Sequence, residues 1–117
     1  MKTIAKRCAL MICAAVAMFA AMGPALAQTP GKDAEGCGWY VILGCARDAN
    51  VAFDTLAKLG GHGVGGGAGA NVLDTRFIGN FNPGYFCVAD GPYISQSEAS
   101  SVAWVEAVRD AYVKRGC

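Results

Sequence analysis

The chain has 117 residues, 54% of them hydrophobic and 16% charged, with six cysteines, one histidine and a formal net charge of +1. That length supports one small domain, and the near-neutral balance excludes a strongly basic partner-binding face. Charge is unevenly placed: Lys2, Lys6 and Arg7 open the chain, whereas beyond residue 27 seven basic residues stand against nine carboxylates, a net charge of about −2.

Residues 1–27 read as a signal peptide. A basic start precedes an unbroken apolar run over residues 8–21, and Gly23-Pro24 leads into Ala25-Leu26-Ala27, a small-x-small cleavage signal. The run is short for a hydrocarbon core of about 30 Å, so no stable membrane anchor is expected after cleavage. Residues 28–36 form a polar, flexible leader, and residues 37–117 form the domain. An exported, mildly acidic chain without a basic-aromatic strand signature also excludes nucleic acid as a partner.

The domain alternates strand and helix signals. Residues 39–43 are strand formers, Gly44 breaks them, and Asp48 or Asn50 caps a helix on which Ala49, Ala52, Phe53, Leu56 and Leu59 recur until Gly60-Gly61. Residues 60–70, with seven glycines, read as a flexible connection; they lack the GxxxxGK[ST] pattern of a phosphate loop, and His62 within them reads as solvated. Residues 71–77 form the second strand, its phase open between Val72/Asp74 and Leu73/Thr75. After the Pro83-Gly84 turn, residues 85–89 form the third strand, ended by Gly91-Pro92. Ser95 and Glu98 have capping-box spacing, and Ala99, Val102, Ala103, Val105 and Val108 give a helical face as far as Asp110. Residues 111–113 close the domain as a fourth strand.

Two strand-helix-strand units in so short a chain predict an α+β, ferredoxin-like βαββαβ fold: a four-stranded antiparallel sheet with both helices on one face. The pattern Tyr40-Val41-Ile42-Leu43-Gly44, then Val88-Ala89-Asp90-Gly91-Pro92-Tyr93 with Ser97-Glu98-Ala99, resembles the SPOR (sporulation-related repeat) domain, and Asp110-Ala111-Tyr112-Val113-Lys114 resembles its closing strand. The resemblance covers roughly residues 37–116. It implies a non-enzymatic module that binds peptidoglycan glycan strands lacking their stem peptides.

Strand alternation sends Val41, Leu43, Phe86 and Val88 toward the helices. Tyr40, Ile42, Cys87 and Ala89 then face outward, joined by Tyr112 and Lys114. On this open face Tyr40, Ile42, Ala89, Tyr112 and Lys114 are the expected glycan-binding residues, with Tyr40 and Tyr112 as stacking surfaces. The apolar positions also fit a second reading, a disulfide-stabilised extracytoplasmic module that binds a cell-envelope protein.

Catalytic alternatives find little support. Ser95, Ser97, Ser100 and Ser101 sit where capping explains them, Glu98 and Glu106 are accounted for by a cap and a solvated helix face, and Trp39 and Trp104 read as core or rim packing. No cofactor and no metal are expected. The domain cysteines, at 37, 45, 87 and 117, have no Cys-x-x-Cys spacing and read as disulfides. Cys37 and Cys45 bracket the first strand and lie about 25 Å apart at about 3.3 Å per residue, beyond disulfide reach. The fourth strand beside the first brings Cys117 to Cys37, and Cys45 is left with Cys87. Export predicts that N-terminal sequencing of the mature protein starts at Gln28; an intact chain from Met1 in the membrane fraction would overturn this reading.

Overall fold

A computed structural model describes residues 29–117. The signal segment expected at residues 1–27 and the cleavage point before Gln28 lie outside the described residues. The elements are β1 (Gly38–Ala46), α1 (Ala49–Lys58), β2 (Ala70–Asp74), β3 (Phe86–Tyr93), α2 (Gln96–Ser101) and β4 (Tyr112–Gly116), with single 3-10 turns at Thr75–Phe77 and Trp104–Glu106. The four strands form one sheet in the order β2-β3-β1-β4, each neighbouring pair antiparallel. This is the expected ferredoxin-like βαββαβ arrangement, because each helix returns the chain to a strand one place removed, with another strand filling the gap. Ala52 and Leu56 of α1 and Ala99 of α2 join Val41, Leu43 and Val88 in one core, so both helices cover the same sheet face. The second strand's phase is also decided: Val72 packs toward the helices and Leu73 toward the opposite face.

Both central strands run further than their breakers suggest. Gly44 was expected to end β1 and Gly91-Pro92 to end β3, yet each lies inside its strand at a register irregularity. Between Trp39↔Tyr93 and Val41↔Asp90, β3 carries one residue more than β1; between Ile42↔Ala89 and Gly44↔Val88, β1 carries one more than β3. A bulge tolerates proline and resets the alternation downstream of it. The Gly91-Pro92 bulge, with its cis peptide bond, lets Asp90 and Tyr93 both face the helices although they are three residues apart. The bulge at Leu43 acts likewise on Cys45. Strict alternation would send Cys45 to the helix side, but the reset places it directly opposite Cys87, and the two form a disulfide.

The second disulfide joins Cys37 and Cys117, beside the Gly38↔Gly116 pair where β1 and β4 meet. It closes a loop spanning 80 residues. By chain entropy such a crosslink stabilises the fold by about 4 kcal/mol.

α1 matches its signals. Asp48 is the N-cap and accepts from the Asn50 N–H at 2.8 Å, and Gly60 and Gly61, both at positive φ, turn the chain away. Phe53, read as part of its buried face, is exposed. α2 departs more. Ser95 caps it, accepting from the Glu98 N–H at 3.1 Å, but the helix expected to run to Val108 ends after Ser101 because Val102 turns extended. The following 3-10 turn buries Trp104 and leaves Val105 exposed.

What draws Trp104 inward is Asp90, whose side chain is fully buried. Its Oδ1 accepts from the Tyr93 hydroxyl at 2.8 Å; its Oδ2 accepts from Trp104 Nε1 at 2.7 Å and the Gly66 N–H at 3.1 Å. A buried carboxyl is costly without such donors. Burial and the Asp90 hydrogen bond together hold the Tyr93 phenol well above the ordinary tyrosine range. The glycine segment, expected as a flexible connection, is therefore a packed one. Gly63 N–H donates to Ala70 and Ala70 N–H to Val64, closing it as a loop over the core. It comes too close for side chains: a Cβ on Gly65 would lie 2.6 Å from Trp104 Cζ2, and one on Gly66 would collide with the Tyr93 hydroxyl.

The leader, too, is held down where it is described. Pro30 bridges to Tyr93, and Asp33 accepts from the Cys37 N–H at 3.0 Å while pairing with Arg115 at 2.8 Å. The Arg115 guanidinium keeps the Asp33 carboxyl below the usual carboxylate range.

If the glycine segment is packed as described, Gly66→Ala should lower stability in urea unfolding by about 1–3 kcal/mol, the cost of overpacking. Gly44→Ala, whose Cβ would meet only Thr55 Cγ2 at 3.9 Å, should change it by less than about 0.5 kcal/mol. Equal stability of the two variants would mean that the loop does not rest on Tyr93.

Candidate functional site

The face opposite the helices carries Tyr40 and Ile42 from β1, Leu73 from β2, Cys87 and Ala89 from β3, and Tyr112 and Lys114 from β4, as alternation requires. It was expected to be open, and it is covered. Tyr40, Ile42 and Ala89 are only 5%, 2% and 1% exposed. The cover is the connection between β2 and β3, whose first residues, 75–77, leave the strand expected over residues 71–77 as a 3-10 turn.

Local chemistry holds this connection in place. Buried Thr75 donates from Oγ1 to the Tyr85 carbonyl and accepts from the Tyr85 N–H, both at 3.0 Å, which pins the two ends of the loop together. At its tip Asn80, at φ 74°, donates to the Arg115 carbonyl at 3.1 Å, and the Gly79 carbonyl accepts from the Cys117 N–H at 2.9 Å. Phe81 then stands edge-on to Tyr40 with ring centroids 6.0 Å apart and closes the second, smaller core. Gly116 makes room for it, since a Cβ there would lie 2.7 Å from both Ile78 and Phe81.

Beside Phe81 the cover leaves a groove of about 220 Å³, walled by Phe81, Asn82, Tyr85, Tyr112 and Lys114, with Thr75 and the Cys45–Cys87 disulfide also lining it. Tyr112 is 54% exposed at its rim. Two cations rest on its aromatic walls. The Lys114 ammonium lies 5.5 Å from the Phe81 ring centroid, and the Arg47 guanidinium lies 5.0 Å from that of Tyr85 while donating to its hydroxyl at 3.2 Å. Rings flanked by an amide and cationic donors suit a ligand with an apolar face and hydroxyls at its edge.

Of the residues expected to meet a ligand, Tyr112 and Lys114 line this groove, whereas Tyr40, Ile42 and Ala89 lie in the core beneath the loop. Sequence reasoning missed Phe81, Asn82, Tyr85 and Arg47. The signal for the first three was two aromatic rings in a segment otherwise built of turn residues, which turns alone do not need. Among the described residues no three His, Cys, Asp or Glu side chains stand together as a metal site, and no helix is long and apolar enough to cross a membrane.

No protein-family model, curated protein or solved structure matches this chain. The two intramolecular disulfides fit an oxidising, extracytoplasmic compartment.

Removing the Phe81 ring should uncover Tyr40 and its neighbours. Phe81→Ala is expected to cost about 1–3 kcal/mol in urea unfolding and to raise the fluorescence of a hydrophobic dye bound to the folded protein. Unchanged stability and dye binding would show that the loop is not seated on the sheet.

Proposed function

We propose that the mature chain is an extracytoplasmic, non-enzymatic binding module for peptidoglycan glycan strands that lack stem peptides, as the SPOR resemblance implies. The observation that carries this reading is the groove on the sheet face opposite the helices. Phe81, Tyr85 and Tyr112 offer ring surface there, beside the Asn82 amide and the Lys114 ammonium. Sugars pack their C–H faces on such rings and bond their hydroxyls at the rim. The ligand-binding residues of this reading are Tyr112 and Lys114 together with the loop aromatics, with Tyr40, Ile42 and Ala89 supporting them from below. Export, as read from residues 1–27, brings the domain to the compartment where this ligand is found.

The test is co-sedimentation with purified sacculi, before and after an amidase strips the stem peptides. Binding should rise on stripping. It should fall by about thirtyfold in a Tyr85→Ala/Tyr112→Ala variant that keeps the wild-type melting temperature, because each of the two rings contributes about 1 kcal/mol of stacking. Failure to sediment with either preparation would overturn the glycan reading. Capture of a cell-envelope protein through the same groove would then favour the protein-interaction reading.

A further inference from the structure

The groove has an unbalanced charge. No carboxylate lines it, although beyond residue 27 the chain holds nine acidic residues against seven basic ones. Two arginines elsewhere are ion-paired, Arg76 with Asp74 at 2.7 Å and Arg115 with Asp33 and Glu35 at 2.8 and 3.5 Å. Lys114 and Arg47 make no ion pair among the described residues. Each leans on an aromatic wall of the groove instead, Lys114 on Phe81 and Arg47 on Tyr85. A ring face holds a cation in place without neutralising it, so both keep their full charge for an incoming anion. A groove lined by no carboxylate and by the unpaired Lys114, with the unpaired Arg47 set on the Tyr85 ring beside it, is complementary to negative charge.

We infer that the groove recognises a saccharide bearing a free carboxylate, read by Lys114 and Arg47 while the rings hold the sugar. The inference rests on the glycan-binding reading and deepens it. Hydrolysing the amide that joins a stem peptide to its sugar leaves a carboxylate in the peptide's place. The same cations that bind the stripped strand therefore have no charged partner at a substituted position. Discrimination comes from one ion-paired contact, with the stacking surface common to both ligands.

The experiment measures affinity by calorimetry for two probes, amidase-stripped glycan oligosaccharides and the same oligosaccharides with their carboxyl groups reduced to alcohols. Reduction should weaken binding by about tenfold, the effect of one lost charge-assisted hydrogen bond. Lys114→Gln and Arg47→Gln should each weaken binding of the carboxylate probe by a larger factor than binding of the reduced probe. Raising salt should weaken only the carboxylate probe. Equal affinity for the two probes would overturn this inference and leave glycan binding intact. Binding of neither would overturn the glycan reading, and this inference with it.

Discussion

Three stretches of chain converge on the side chain of Asp90. Tyr93 lies on the same strand across the bulge, Trp104 in the turn after α2, and Gly66 in the glycine segment between α1 and β2. A carboxyl at zero exposure costs several kcal/mol unless its oxygens are hydrogen-bonded, and here both are. Meeting that demand shapes much of the domain. α2 stops early so that the Trp104 indole can reach Oδ2, and the glycine segment lies flat because its backbone must supply a donor where a Cβ has no space. The Gly91-Pro92 bulge serves the same end, since without it Tyr93 would face away from Asp90.

The second bulge does for the opposite face what the first does for the core. By turning Cys45 outward it allows the disulfide to Cys87, and that crosslink becomes part of the groove lining. With Cys37–Cys117 fastening the far end of the β1–β4 pair, the two edges of β1 are covalently fixed near opposite ends of the strand. The sheet is thereby a base for a loop that supplies half of the groove lining. Loops supported in this way are where binding residues commonly sit.

That loop divides labour between its residues. Phe81 packs downward on Tyr40, Ile42 and Ala89 and also walls the groove, where Asn82 and Tyr85 join Tyr112 and Lys114. The seal explains why outward strand positions here are apolar: they form a second core. The strands contribute to the groove through the Cys45–Cys87 disulfide and at β4, where Tyr112 and Lys114 lie beyond the cover.

What was legible in the sequence was either local or followed from element order. Asp48 and Ser95 act as caps through neighbouring N–H groups, and alternation placed Val41, Leu43 and Val88 on one face and Tyr40, Ile42 and Ala89 on the other. The repeated strand-helix-strand order was enough for the ferredoxin-like sheet, and the sheet brought Cys37 to Cys117 and Cys45 near Cys87, while the bulge at Leu43 put Cys45 on the face where that second bond forms. Tertiary structure decided the rest. Glycines and prolines that read as breakers became bulges and close-packed turns, because a breaker signal records what a backbone permits and not which neighbour approaches it. The early end of α2 depends on a carboxyl fourteen positions before Trp104, and the burial of Tyr40 depends on Phe81, forty-one positions further along the chain. No local pattern encodes either contact. Each exists only because the sheet brings the partners together and burial then makes their pairing favourable.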